Sequence, residues 1–216
     1  AREGERAHVL PSIPPARLRD PSYMTLPYYW EPSEEVREVL KDKNWDSDWL
    51  IGWRDVTDAR ASARTLIASV IPRADVNDKF LLMLPSVPAR RAAALLGNLC
   101  SLTCDYVARQ KVGGLALKYF TMKQFPVLAP ENYSDADLNV IVPRVLELTY
   151  TAKDMEPWAR DLGHEGPPFE FDSERRAKLR AELDAYYARL YGLDRDAIRF
   201  ILDPQSVKPG YPSETF

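Results

Sequence analysis

A change of hydrophobic pattern at Pro88 constrains the fold of this chain more than any other feature. Before it lie three short, apolar, β-prone segments at Asp48–Val56, Thr65–Ile71 and Lys79–Leu84. After it, apolar residues recur every three or four positions to about Lys111, which predicts one long helix with an apolar face. We therefore predict an α+β fold in which a small mixed sheet packs on a long helix.

The flanks of this central region differ in character. Residues 1–33 are rich in proline and predict an extended lead-in, residues 34–130 hold the α+β domain, and residues 131–216 form a helical C-terminal region. The C-terminal helices are expected at Ser134–Lys153, Ser173–Tyr191 and Arg195–Leu202.

Local signals refine these expectations. Ser33 and Ser173 each precede acids and helix formers, so both are predicted helix N-caps. The Gly113–Gly114 pair is expected to stop the long helix, and Leu115–Phe120 is expected to form a short strand. Cys100 and Cys104 lie four apart within the helical pattern, which favours buried, unpaired thiols in a reducing cytoplasm.

Bulk properties exclude several classes of protein. No apolar run approaches the roughly 20 residues of a membrane helix, and the charged start AREGERAHVL is not a signal peptide. Because this start also lacks an initiating Met, we expect the chain to be a fragment of something larger. No phosphate-binding loop and no G-x-S-x-G motif occurs, and the two histidines, His8 and His164, are far apart. We therefore predict no catalytic site, no metal site and no cofactor in this chain.

The distribution of charge points to a polyanionic partner. The whole chain carries a net charge of -3, yet residues 51–125 hold eleven cations against five acids, a net of +6. A basic centre between acidic ends can attract nucleic acid, although an ordinary fluctuation of charge explains the numbers equally well. Charged, amide and glycine residues near predicted element ends are the candidates for contact with DNA phosphates and base edges; they are Arg60, Arg64, Asn77, Arg109, Gln110, Lys111, Gly113, Gly114 and Lys118.

The stretch LGNLCSLTCDYVARQKVGGLALKYFTMKQFPVLAP resembles the C-terminal target-recognition region of large bacterial adenine-specific DNA methyltransferases. Type IIG restriction–modification enzymes and methylases of BREX- and DISARM-type phage defence belong to that group. The resemblance extends to PYYW at Pro27–Trp30, to WLIGWRDVTDARASARTLIASVIPR from Trp49 onward, and to the helical end at Leu179–Asp203. Within the main stretch the matching residues are Leu99, Ser101, Asp105, Tyr106, Arg109, Gln110, Lys111, Gly113, Gly114, Tyr119, Phe120, Gln124, Pro126 and Val127.

This resemblance implies a DNA-specificity domain that acts on double-stranded DNA in the bacterial cytoplasm, attached to the methyltransferase domain of the same polypeptide. The parent would use S-adenosylmethionine to methylate the exocyclic nitrogen of adenine. This chain lacks the N-P-P-[YF] catalytic motif, since neither SIPPAR nor EGPPFE has an Asn before its prolines. Methylation, and any endonuclease activity, would therefore belong to the parent. The alternative is a protein-interaction module that docks the methyltransferase core or a partner subunit without contacting bases.

Overall fold

The computed structural model describes residues 13–25, 30–58 and 64–203. Nine α-helices and three strands lie in this part of the chain. The helices are α1 (Pro15–Leu18), α2 (Ser33–Lys41), α3 (Ala89–Leu99), α4 (Leu102–Lys111), α5 (Tyr119–Met122), α6 (Asp135–Thr149), α7 (Glu156–Asp161), α8 (Ser173–Leu190) and α9 (Arg195–Leu202). The strands are β1 (Trp49–Arg54), β2 (Ala68–Pro72) and β3 (Phe80–Met83), and short 3₁₀ turns occupy Pro130–Asn132 and Lys153–Met155.

The predicted α+β class is confirmed, and its sheet is small. Strand β1 lies in the centre and pairs antiparallel with β2 on one side and β3 on the other. The sheet of the described residues is thus antiparallel, whereas a mixed sheet was expected. Gly52 allows β3 to approach β1 closely, because a Cβ there would lie 2.4 Å from the Leu81 carbonyl oxygen. No other residue fits this position without a shift of the β3 backbone.

Strand β1 connects two hydrophobic clusters. Its first half, with Leu50 and Ile51 fully buried, belongs to a large cluster formed with α3, α6, α7 and α8. Its Trp53 belongs to a second cluster, to which α3 and α4 also contribute. We call this second group the lower core; its buried members are Trp53, Leu66, Leu99, Cys104, Ala108, Val112, Leu117, Met122 and Phe125.

The predicted long helix is two helices. It is interrupted at Cys100 and Ser101, where Ser101 has an extended backbone (φ -73°, ψ 150°) and its hydroxyl accepts the Cys104 N–H. Ser101 is thus the N-cap of α4. Cys104 and Ala108 of α4 lie in the lower core.

The predicted strand at Leu115–Phe120 is also wrong. Within this segment Ala116 forms one isolated antiparallel bridge to Val56, and no strand is formed. The chain then enters α5 at Tyr119. Two predicted serine caps fail as well, since Pro32 and Asp172 occupy the N-cap positions of α2 and α8. Each serine is the first helical residue instead.

Both cysteines are free thiols, and only one is buried as expected. Cys104 lies in the lower core, and burial raises the pKa of its thiol to about 12. Cys100, at the helix break, is exposed.

The C-terminal helices pack directly on the α+β elements. Tyr187 of α8 is fully buried and donates a 2.7 Å hydrogen bond from its hydroxyl to the Ala94 carbonyl of α3. Gly97 permits this contact, because a Cβ there would lie 2.8 Å from the Tyr187 hydroxyl. The large cluster therefore draws residues from both sides of residue 130.

Candidate nucleic-acid interface

Two of the candidate DNA-contacting residues, Asn77 and Lys118, lie at one end of the sheet, where β1 ends and β3 begins. The chain after β1 is held there by backbone hydrogen bonds on both sides. Asp55 donates its N–H to the Lys79 carbonyl (2.8 Å) and accepts the Leu117 N–H (2.7 Å). Thr57 donates its N–H to the Leu115 carbonyl (3.0 Å). These bonds bring the segments around residues 55, 79 and 116 side by side.

Cations border this end of the sheet and form a surface that we call the basic edge. Each member is exposed or partly exposed, and each lies next to a residue of the lower core or in one of the hydrogen-bonded segments around residues 55, 79 and 116. The members are Arg54, Lys79, Lys111, Lys118 and Lys123. The segments that contain these five cations, residues 54–58, 77–79 and 111–123, contain only three acidic residues. One of the acids, Asp55, is buried. The basic edge therefore carries an excess of positive charge on a chain whose net charge is negative.

Asp55 holds two lysines of the basic edge in place. The Lys118 ammonium lies 2.8 Å from Asp55 Oδ2, and the Lys79 ammonium lies 3.9 Å from the same oxygen. Lys79 also contacts the exposed Asp78 carboxylate at 2.7 Å. About half of each lysine side chain stays exposed, 43% for Lys118 and 54% for Lys79. Both ammonium groups are thus oriented by the protein and still open to a ligand.

Lys111 and Lys123 complete the basic edge from the ends of two helices. Lys111 is the last residue of α4, immediately before Val112 of the lower core, and Lys123 follows α5 directly after Met122. Both are exposed, and among the described residues neither has a carboxylate partner. An anionic ligand could therefore reach either ammonium without first breaking an ion pair.

Behind this surface lies a buried network of charges centred on Asp105 of α4. Its Oδ1 accepts the backbone N–H groups of Thr65 (2.8 Å) and Leu66 (2.7 Å), which fixes the chain entering β2. Arg109, one turn along the helix, lies 3.8 Å from Asp105 Oδ2. Asp105 is 1% exposed, and burial raises the pKa of its carboxyl, while the backbone hydrogen bonds and the nearby arginines oppose that shift.

Asp184 of α8 connects this network to the C-terminal helices. Its Oδ2 lies 3.1 Å from Arg64 Nη2, and its Oδ1 accepts the N–H of Leu102 at the start of α4 (2.6 Å). One carboxylate thus holds the entry to β2 and the first turn of α4 against α8. A negative group at a helix N-terminus is also favoured by the exposed N–H groups there.

The structure places the predicted DNA-contacting residues in different environments. Arg109 is only 7% exposed in its side chain, and Arg64 is paired with Asp184, so the fold uses both arginines to support the surface. Asn77 is exposed in the turn before β3, where its side-chain oxygen accepts the Lys79 N–H. Gln110, Lys111, Gly113, Gly114 and Lys118 lie in the segment that runs from α4 to α5. Arg60 and the Pro27–Tyr29 part of PYYW lie outside the described residues.

The two glycines of this segment do not end α4 in the expected way. The helix ends at Lys111, and its C-cap is Val112 in an extended conformation (φ -84°, ψ 99°). Neither glycine has a positive φ, so no left-handed cap is formed. A Cβ on either glycine would meet nothing within 4 Å, which leaves open space over the backbone of both residues.

Sequence reasoning passed over four residues of this surface. Lys79, Lys123 and Arg54 contributed to the basic centre but were not selected, although their positions next to predicted strand and helix ends were the available signal. Phe120, a residue of the matching stretch that was not selected as a contact, is 70% exposed.

Comparisons with known proteins identify no relative for this chain. No protein-family model matches it, and no curated protein and no solved structure matches it either. In the described ranges, no helix combines the length and the hydropathy needed to cross a membrane. The same residues contain no group of three His, Cys, Asp or Glu side chains arranged to hold a metal ion.

Proposed function

We propose that this chain is a DNA-recognition module that binds double-stranded DNA through the basic edge. The observation that carries the proposal is the set of exposed or half-exposed lysines of the basic edge: Lys79 and Lys118 are oriented by Asp55, and Lys111 and Lys123 have no carboxylate partner among the described residues. Lysines that neutralise phosphates release condensed counterions, and this release drives most of the sequence-independent affinity for DNA.

The finer part of the proposal concerns the parent protein and rests on the sequence resemblance. The module would supply target specificity to an S-adenosylmethionine-dependent adenine-N6 methyltransferase of a restriction or phage-defence system, in the bacterial cytoplasm. The cofactor and the catalytic residues would belong to the methyltransferase domain of the same polypeptide. The proposal therefore requires an N-P-P-[YF] motif upstream in the full coding sequence.

Base readout requires side chains with paired donors and acceptors beside the phosphate-binding lysines. Gln110 and Asn77 have such groups, and both are exposed near the basic edge. The open space over Gly113 and Gly114 would let a sugar–phosphate backbone approach this segment closely. Arg64 and Arg109 would act indirectly by fixing the scaffold.

Substitution of Lys111 and Lys123 tests the module's DNA binding. Lys111→Gln combined with Lys123→Gln should weaken binding to a short duplex by at least tenfold at low salt, because two phosphate contacts are lost. Fluorescence anisotropy of a labelled duplex gives the dissociation constants. The matched control is Lys41→Gln with Lys178→Gln, which removes the same charge from exposed lysines of α2 and α8. Equal loss of affinity in both double variants would contradict a specific basic edge.

A second function, docking of another protein, is favoured by one observation. A mainly apolar groove of about 340 Å³ lies between α4 and α9, and Val107, Pro126, Leu193 and Ile201 contribute to its lining. If the chain is an interaction module, a Leu193→Glu variant, at a partly exposed residue of the groove, should lose binding to the methyltransferase core in titration calorimetry. The same variant should keep any affinity for DNA.

A further inference from the structure

Phe120 is an exposed aromatic residue in an otherwise well-anchored segment. Its side chain is 70% exposed, while the following residues Thr121 and Met122 are buried. The preceding Tyr119 packs edge-on against Trp53, with ring centroids 5.0 Å apart, and donates its hydroxyl to the Leu82 carbonyl (3.0 Å). The backbone around Phe120 is thus fixed by its neighbours, and its own ring is left in water.

Further contacts hold the same segment from both ends. Trp53 donates its indole N–H to the Leu117 carbonyl (2.8 Å), and Lys118 is paired with Asp55. After the helix, Phe125 is buried in the lower core, and Gln124 donates from its side chain to the Phe120 carbonyl (3.1 Å). A ring on such a support loses little conformational freedom when it binds a ligand.

The surroundings of Phe120 identify the chemistry of that ligand. Lys118 and Lys123 lie two and three residues away along the chain, both exposed or half-exposed, so exposed cations flank Phe120 in the sequence. Two further apolar side chains, Leu115 and Val56, are 60% and 48% exposed on the two hydrogen-bonded segments that precede α5. Apolar side chains that project between cations are used by DNA-binding proteins to enter base steps, because the cations hold the adjacent phosphates.

We propose that Phe120 enters a base step of the bound duplex and unstacks it, while Lys118 and Lys123 neutralise the flanking phosphates. This inference rests on the proposed DNA-binding function and adds to it a named contact with the bases. The ring would gain burial and stacking against a base face, which compensates for opening the step. Leu115 and Val56 would pack against the sugars on either side.

The test uses the full chain and short duplexes in which adenines are replaced by 2-aminopurine, whose fluorescence rises when the base is unstacked. Wild type should raise this fluorescence on binding. Phe120→Ala should abolish the rise and weaken binding about tenfold, equivalent to about 1.4 kcal/mol. Phe120→Trp should restore both. Since Phe120 is exposed, the urea midpoint of Phe120→Ala should equal that of wild type.

Val39→Ala is the control, because Val39 is 58% exposed on α2, far along the chain from the basic edge. If wild type binds duplex and Phe120→Ala gives the same fluorescence rise, the inference is overturned and the proposed function stands. If Phe120→Ala leaves DNA binding intact and instead changes the sedimentation of the protein, the ring serves a protein contact and the inference is also overturned. If wild type binds no duplex at any salt concentration, the proposed function fails and the inference fails with it.

Discussion

At the level of single residues, Arg64 and Arg109 show that an arginine predicted to contact DNA can instead form an ion pair within the fold. Arg64 and Arg109 are charged residues near the ends of predicted elements, where outward projection is the natural expectation. The structure brings Arg64 close to the partly buried Asp184 and Arg109 close to the buried Asp105. Sequence alone could not predict this, because Arg64 and its partner Asp184 are 120 positions apart and the burial of Asp105 depends on tertiary packing. Lys111 and Lys118, by contrast, are exposed or half-exposed as expected.

Replacement of Asp105 by Ala tests the importance of the buried network. The variant leaves the N–H groups of Thr65 and Leu66 without their acceptor and removes the carboxylate beside Arg109. We expect a loss of about 3–5 kcal/mol in the free energy of unfolding, measured by urea titration. A loss below about 1 kcal/mol would show that the network does not hold the entry to β2.

Asp105→Asn is the matched variant, because its amide oxygen can still accept both N–H groups. It should be less destabilised than Asp105→Ala. The pKa of Asp105 is raised from its ordinary value of 3.8 by burial, so the folded state keeps the proton to higher pH than the unfolded state does. The stability of wild type relative to Asp105→Asn should therefore fall as pH rises from about 3.8 through the raised pKa.

Among the secondary-structure elements, the sequence predicted type and order well and predicted the local interruptions poorly. The three strands and the helices α6, α8 and α9 were foreseen, because periodicity and proline positions determine them locally, whereas α7 was not predicted. The break at Ser101 was missed, because the apolar spacing continues across it and only the serine hydroxyl signals a new N-terminus. The segment Leu115–Phe120 has the composition of a strand, but among the described residues it forms a single bridge, Val56–Ala116. The chain then enters the short helix α5, in which Met122 is buried.

The helix caps give a direct test at this scale. Ser101→Ala should lower the free energy of unfolding by about 1–2 kcal/mol, because it removes the acceptor of the Cys104 N–H at a buried helix start. Ser33→Ala should change stability by less than about 0.5 kcal/mol, because Ser33 makes no cap hydrogen bond in α2. Thermal unfolding of the two variants measures both changes. Equal losses of unfolding free energy in the two variants would contradict the assigned N-caps.

For the molecule as a whole, strand β1 and helix α8 join the parts that sequence analysis separated. The boundary at residue 130 was suggested by a change in composition, and it stays a prediction. The large cluster nevertheless combines Ile51 of β1 with Ile141 of α6 and Tyr187 of α8. Such contacts join distant segments, so no local pattern could have indicated them.

Tyr187→Ala tests whether these parts unfold as one unit. It removes a fully buried ring and its hydrogen bond to Ala94, and should cost about 3–5 kcal/mol. Far-UV circular dichroism and tryptophan fluorescence, which includes Trp53 of the lower core, should report the same shifted urea midpoint. Lys178→Ala, on the exposed side of α8, should leave the midpoint unchanged. Two separate transitions would contradict a single cooperative unit.

The salt dependence of DNA binding tests the central claim most directly, because it counts phosphate contacts. The logarithm of the association constant should fall linearly with the logarithm of salt concentration for wild type. For Lys111→Gln with Lys123→Gln the slope should be shallower by about 1.8, since each lost phosphate contact contributes about 0.9. Parallel lines for wild type and the double variant, or binding without salt dependence, would contradict the assignment of the basic edge as a DNA-binding surface.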